Sequence, residues 1–371
     1  MNTLINAHPS ASTLRRLCMA LLLALSVWAI LITPESDFVQ DYAAAKGWML
    51  GLDPNGPTDD LLAACCSDAP PNQIPQTAHP PLATLLALPF ALLPWTAARW
   101  AWMLVSWLLI TLTWEWLQLP PLACLLSIPF WVIGISLGAL EPLLLLLVAT
   151  TLQDLERAPL RAGAALGLAM ALKVYPGMLV LGLLLGRRWR PLLAAGTAAL
   201  LATAGAEIIL GPGVTRDWLA FSQVNATLHV GSVRNVSLVR IAHTLLPALS
   251  ANMTGVLLAL LLTIPLVPLL RCEPIRAMLP VMLLSSPICW ELYFVFLSLV
   301  PLGRAERALL ALSGLVGLAV WMRLISGVGM ALPGYGPLFV AAMLAWYRWA
   351  RAGLAAARPA AGSPDAGNTL Q

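Results

Sequence analysis

Two carboxylates four residues apart, Asp37 and Asp41, stand in the stretch from Ser36 to Pro54, which opens the most acidic part of the chain. In a helix that spacing puts both on one face. A carboxylate just beyond a long apolar run is a candidate general base at a water–lipid boundary. Asp41 can assist it or hold a cation. The structural alternatives are a helix N-cap at Ser36 or Asp37 and, for Asp41, a solvated surface carboxylate. Lys173 stands inside an apolar run, where a charge is expensive and usually functional. Snorkelling to the interface is its bland alternative, weakened by Pro176, which breaks the helix nearby. Arg234 and Arg240 are further anion contacts, because a guanidinium pairs with phosphate bidentately; surface arginines are the alternative. His79, beside Pro80 and Pro81, is either a binding residue or a turn residue. Asn235 and Ser237 either hydrogen-bond a ligand or cap the helix that follows. Trp290 can stack on a ring face or anchor at an interface, and Glu291 lies beside it in an apolar run.

These residues must be positioned by membrane helices. The chain has 371 residues, is 60% hydrophobic and 10% charged, and has a mean hydropathy of +0.83. A soluble fold could not hide that much apolar surface. The apolar residues come in long blocks between short polar, Pro or Gly breaks, which predicts an all-α polytopic membrane protein of about ten to twelve segments. Arg15 and Arg16 precede the first run, Leu17 to Ile32, read as an uncleaved span from 14 to 33 with its basic flank in the cytoplasm. Residues 34–80 hold seven acidic residues and one lysine, the mark of a translocated loop. Its first half is expected to form an amphipathic surface helix with Phe38, Tyr42, Ala45 and Met49 on one side. The run from Leu82 to Leu93 is short for a span and reads as re-entrant; Arg99 is placed on the cytoplasmic side. Spans are expected near 100–116, 122–137, 140–152, 162–185, 192–210, 255–270, 309–325 and 338–349, with 211–252 a second outer loop. The apolar stretch 277–300 must break at Ser285-Ser286-Pro287 if Arg304, Arg307, Arg348 and Arg351 are all to lie inside. Residues 1–351 form one membrane domain, and 352–371, rich in Ala, Pro and Gly, a disordered cytoplasmic tail. Cys65 and Cys66 can pair with each other or another thiol, with an incidental role as the alternative. Glu141 and Glu207 read as mouth or structural residues. No Cys/His metal spacing appears.

Several short motifs fall in an order that resembles glycosyltransferase family 87. Asp37-Phe38…Tyr42-Ala43-Ala44…Gly51-Leu52-Asp53-Pro54 is similar to its first outer-loop motif, and His79-Pro80-Pro81…Pro89…Leu93-Pro94 to its next element. Ala171-Leu172-Lys173-Val174-Tyr175-Pro176, with Arg187-Arg188 after it, resembles its most recognisable signature. Asn235-Val236-Ser237-Leu238 and Ser286-Pro287-Ile288-Cys289-Trp290-Glu291 resemble two later ones. Two positions depart from the pattern. Leu292 and Tyr293 stand where a His is frequent, and Gly138-Ala139-Leu140-Glu141 stands where Gly-Gln is frequent.

The resemblance implies a GT-C-type membrane enzyme that moves a sugar, often mannose, from a polyprenyl-phosphate carrier to a glycan or glycolipid acceptor at the outer face of the cytoplasmic membrane. Asp37 is then the base, with Asp41 beside it. Lys173, Arg234 and Arg240 contact the donor phosphate, and His79, Asn235, Ser237, Trp290 and Glu291 contact sugar or acceptor. The leaving phosphate needs charge stabilisation rather than a proton, so one carboxylate and a cation suffice, and the anomeric centre inverts. The resemblance names no definite cofactor, and the acidic loop can hold a divalent cation. A nucleic-acid partner is not expected. A transporter of lipid-linked sugar and a non-catalytic assembly subunit are the competing readings; the chain shows no internal repeat of the transporter kind.

Overall fold

The computed structural model describes residues 10–33, 37–66, 68–70, 75–232, 234–322 and 331–357. Among these there is helix and no strand. α1 (Ala11–Ile32) starts at Ser10, whose hydroxyl accepts from the Thr13 amide. α2 (Phe38–Met49) and α3 (Thr58–Cys65) fill the acidic loop, and α4 (Pro81–Ala91) and α5 (Trp95–Trp116) follow. α6 (Pro121–Leu137), α7 (Glu141–Asp154) and α8 (Pro159–Leu172) come next. A 3-10 turn, Tyr175–Met178, leads into α9 (Leu179–Leu185), then α10 (Trp189–Leu210). α11 (Val214–Val230) and α12 (Leu238–Leu245) precede α13 (Ala251–Thr263), which runs on as a 3-10 segment, Ile264–Leu269. α14 (Leu279–Ser285), a 3-10 run Glu291–Leu299, α15 (Arg304–Trp321) and α16 (Ala331–Ala356) complete the order. Proline at the first or second position starts α4, α6, α7, α8 and α14, where a missing N–H costs nothing.

Three helices, α1, α10 and Ala251–Leu269, are long and apolar enough to cross a membrane, and a fourth span results if α4 and α5 are taken together. The chain is thus an all-α polytopic membrane protein. α4 and α5 meet at 115°, the bend of a broken span or of a re-entrant loop; the second is the reading expected for the short apolar run before Arg99. Its guanidinium donates to the carbonyl oxygens of Thr33, after α1, and Ser136, near the end of α6. The apolar stretch 277–300 does break at Ser286-Pro287, into α14 and the 3-10 run. The second outer loop is largely helical, as α11 and α12. α16 continues to Ala356, past the start of the expected tail; the rest of that tail lies outside the described residues, as do Glu35 and Ser36.

α2 is not a surface helix. Phe38 through Ala45 are all buried, because α2 is wedged among α3, α4 and the α6–α7 turn. Phe38 stacks on Trp102 at 5.1 Å and meets Phe90 edge-on at 5.8 Å. α12, by contrast, does leave apolar side chains exposed, Ile241 and Leu245. Gly138 ends α6 with φ +72°, and a Cβ there would come within 2.5 Å of Phe38 Cβ. Glycine supplies both the left-handed cap and the close approach. α8 and α10 pack closely through small residues, with Gly167 against the Ala195 carbonyl. Cys65 and Cys66 are bonded to each other at the end of α3.

Candidate active site

Several helix ends converge beside α2. Leu137 O, at the end of α6, accepts from the Asp37 amide at 2.6 Å. Asp37 sits at the N-cap position of α2 but makes no side-chain cap bond. Its carboxylate is held instead by Gln40 Nε2, 2.5 Å from Oδ1. Gln40 Oε1 accepts in turn from the Ala78 amide at 2.7 Å, and Trp218 Nε1 donates to the Ala78 carbonyl at 3.2 Å. The loop before α4 is thereby fixed, and with it His79.

His79 lies between the two carboxylates. Nδ1 is 2.8 Å from Asp41 Oδ2, and Nε2 is 3.6 Å from Asp37 Oδ2. The Asp41 side chain is 2% exposed and the Asp37 side chain 23%. The inner acid therefore orients the imidazole, and the outer one faces the cavity. Burial favours the neutral imidazole, but Asp41 and Asp37 outweigh it and raise the His79 pKa above the ordinary 6.5. Burial lowers the pKa of His229, against a weaker opposite pull from Asp37.

A cavity of about 440 Å³ is lined by Asp37, His79, Lys173, Trp218, Trp290 and Tyr293, among others. Lys173 caps α8 in an extended conformation. Pro176, which lacks an N–H, sits in the 3-10 turn that follows and bars the helix from continuing. Nζ donates to Glu141 Oε1 at 2.7 Å and stands 5.0 Å from the Tyr293 ring centre. Tyr293 stacks on Tyr175 at 4.5 Å. One of the three ammonium donors is thus committed to Glu141. Glu141 is fully buried, its Oε2 without a partner. Trp290 meets His229 edge-on at 5.7 Å across the cavity.

The other expected site residues lie elsewhere. Asn235 is 2% exposed. Its Nδ2 donates to the Val230 and Pro287 carbonyls, and its Oδ1 accepts from the Ser237 and Cys289 amides. An asparagine amide has two donors and two acceptor sites; all four are spent on backbone, so Asn235 fastens two loops and offers nothing to a sugar. Arg234 pairs with Glu291 at 2.5 Å, its guanidinium 5.9 Å from the Trp290 ring. Arg240 and Ser237 line a second cavity behind that pair. Lys173 and these two arginines therefore do not surround one phosphate. Glu207 accepts from the Gly213 and Thr215 amides at the start of α11, a structural role.

Glu141 and Tyr293 are the residues that sequence reasoning undervalued. They occupy the two departures from the family pattern, and both land on Lys173. An acid opening one apolar run and a base closing another carried a usable signal, since buried charges are paired. Among the described residues, no group of three or more His, Cys, Asp or Glu side chains forms a metal site.

The family model described as Glycosyltransferase family 87 matches residues 78–277, more than half of the chain, and the chain belongs to that family: it is a glycosyltransferase. No curated protein matches the chain. The matched range holds His79, Glu141, Lys173 and the 234–240 segment; Asp37, Asp41, Trp290, Glu291 and Tyr293 lie outside it.

Proposed function

We propose that the chain transfers a sugar from a polyprenyl-phosphate carrier to a hydroxyl acceptor at the outer face of the cytoplasmic membrane, with inversion, and that Asp37 is the general base. The observation that carries this reading is the placement of one accessible carboxylate and one buried ammonium, Asp37 and Lys173, on the same cavity wall system. Displacement at the anomeric carbon needs those two groups and little else. The acceptor oxygen forms its bond to the anomeric carbon and gives its proton to Asp37. The bond to the phosphate oxygen breaks, its electron pair stays on the phosphate, and the two remaining Lys173 N–H donors receive the added charge. His79, held by Asp41, stands beside Asp37 and offsets the negative charge of the paired carboxylates. Trp290 and Trp218 supply ring faces for the sugar, and His229 a neutral polar edge. Mannose is the first sugar to test.

The test is sugar transfer by purified protein in nanodiscs. A panel of polyprenyl-phosphate sugars is offered as donor and a membrane-lipid extract as acceptor. Wild type is expected to transfer from one donor, with an inverted product. Asp37→Asn should lose transfer by a factor of 10² to 10⁴, the range for a positioned acid or base, while still retaining donor. Equal transfer by wild type and Asp37→Asn would remove Asp37 from the chemistry. Donor retained and moved across the bilayer without transfer would favour a transporter of lipid-linked sugar.

A further inference from the structure

α11 borders the Asp37 cavity along one face. Trp218, Ser222, Asn225 and His229 all line it, and their spacing along the helix is that of a single stripe. The stripe is polar but carries no charge. Ser222 Oγ donates to the Leu219 carbonyl at 2.8 Å and Trp218 Nε1 to the Ala78 carbonyl at 3.2 Å, and burial pushes the His229 pKa down. Arg216 and Asp217, also on α11, bond each other at 2.9 Å and lie outside the lining. Asn225 is the member of the stripe whose side chain is unmet. It is 9% exposed, and its Oδ1 is buried with no hydrogen-bond partner. An unmet buried carbonyl is destabilising, and the sequence offers a contrast in Asn235, which is also buried but has every amide position filled by backbone. A half-turn about the last side-chain bond exchanges the acceptor and donor ends of a carboxamide, so Asn225 can present either to the cavity.

Indole rings and an uncharged amide suit a neutral sugar, which offers C–H bonds on its faces and hydroxyls around its edge. Trp218 stands at the start of the stripe. Trp290 meets His229 edge-on at 5.7 Å at its other end, and Asn225 lies between them. The charged groups of the cavity, Asp37, His79 and Lys173, come from other elements. We propose that Asn225 is the specificity-determining residue for the transferred sugar, its carboxamide taking a hydroxyl at the edge of a neutral ring that lies against Trp218 and Trp290. The inference rests on the reading that this cavity takes a sugar-bearing lipid phosphate. A sugar that lacks the hydroxyl, or a bare lipid phosphate, leaves the buried amide unpaired, and a site built around such a group rejects the analogue for that reason. A uronic acid is disfavoured on charge, because the stripe offers no cation to its carboxylate and Asp37 faces the same space.

Lipid binding to the full-length protein in nanodiscs, measured without acceptor, tests this. The probes are undecaprenyl phosphate bearing mannose, glucose, galactose, arabinose or glucuronate, and bare undecaprenyl phosphate. Wild type is expected to hold one neutral-sugar lipid about tenfold tighter than the bare phosphate, the effect of one hydrogen bond to a buried amide, and to hold the glucuronate lipid no tighter. Asn225→Leu has similar size and no polar atoms. It should hold sugar-bearing and bare lipids within about twofold of each other and bind the bare lipid as wild type does. Without ligand it should melt at or above the wild-type temperature, since the unmet group is gone. Asn225→Ser, too short to reach the ring, should lose the same preference, and it serves if leucine disturbs the packing. Wild-type sugar preference in both variants overturns the proposal. So does a wild type that prefers no neutral sugar or prefers glucuronate. Loss of both bare-lipid binding and melting temperature in the two variants marks a structural amide and also overturns it. Transfer is not measured, so the two readings fail separately. A preference lost in Asn225→Leu stands even if Asp37→Asn transfers normally, and Asp37→Asn can abolish transfer while Asn225 proves indifferent.

Discussion

At the residue scale, two carboxylates of one helix turn receive different work because one is buried and the other is not. Asp41 spends an oxygen on His79 inside the protein, and Asp37 keeps access to the cavity. Removing His79 would leave Asp41 buried without its partner. Breaking a buried pair from one side costs about 3–5 kcal/mol, so His79→Ala is expected to lower the melting temperature sharply. That difference should depend on pH. The His79 pKa is raised in the folded protein, so the stability it contributes is fully present below its unfolded value near 6.5 and is lost as pH rises through the folded value. Melting curves of wild type and His79→Ala measured from pH 6 to pH 9 should converge toward the alkaline end; a constant gap would show that the proton is not involved. Lys173 follows a different logic. In the proposed transfer it is a preorganised cation at a site of developing charge, and Lys173→Met should lower kcat about 10²- to 10³-fold, as loss of one such donor does. Lys173→Arg should restore little, since a planar fork does not fit a slot between Glu141 and Tyr293 built for a compact ammonium.

At the scale of the element, α2 is the part that places Asp37, the proposed base, and α2 is held by its neighbours. Its first residue, Phe38, is clamped by Trp102 and Phe90, and the Asp37 amide is tied to the end of α6. Trp102 Nε1 donates to the Gly138 carbonyl at 2.8 Å, so the same turn fixes the clamp. Gly138→Ala adds a methyl against Phe38 and forces a non-glycine residue to φ +72°, a conformation that costs an L-residue about 1–2 kcal/mol. Transfer is expected to fall at least tenfold while the protein stays folded. Thermal stability and turnover measured on the same preparation distinguish displacement of Asp37 from global unfolding; unchanged turnover would mean that α2 does not depend on this turn. α8 shows the complementary device. Its helix stops at Lys173, so the ammonium emerges at a helix end rather than from a lipid-facing stripe.

At the scale of the whole molecule, the ends of successive long elements alternate between two faces of the bundle. The ends of α1, α6, α8 and α14 gather at the candidate site with the starts of α7 and α16. Ion pairs mark the opposite face: Arg15 with Glu115, Arg161 with Asp154, Arg188 with Glu156, and Arg348 with Glu306. The Arg188–Glu156 pair is accessible on both sides, and exposed pairs of that kind contribute only about 0–1 kcal/mol; Arg15, Asp154 and Glu306 are the buried partners of the other three. On the positive-inside rule we propose that the arginine-rich face is cytoplasmic and that the Asp37 cavity opens outside. Cys272 is exposed on the arginine-rich face, whereas Cys18, Cys124 and Cys289 are buried and Cys65 and Cys66 are bonded to each other. A membrane-impermeant maleimide should therefore label the protein in inverted vesicles and leave it unlabelled in intact cells. Labelling from outside would invert the proposed topology.

Composition and residue spacing determined that the chain is helical and where most of its apolar runs begin and end. Those features are local. Hydrophobicity over twenty residues decides partition into lipid, and a proline or a charge inside a run signals a break wherever the chain goes. Only the tertiary structure decided which charges pair. Glu141 meets Lys173 and Arg234 meets Glu291 across separations in sequence that no local pattern spans, and Asn235 is saturated by loops that only the fold brings together. The same holds for α2, whose composition suits a membrane surface and whose burial is imposed by the helices packed around it. Spacing along a chain fixes what a residue can do, whereas desolvation and distance in space fix which of those possibilities remains.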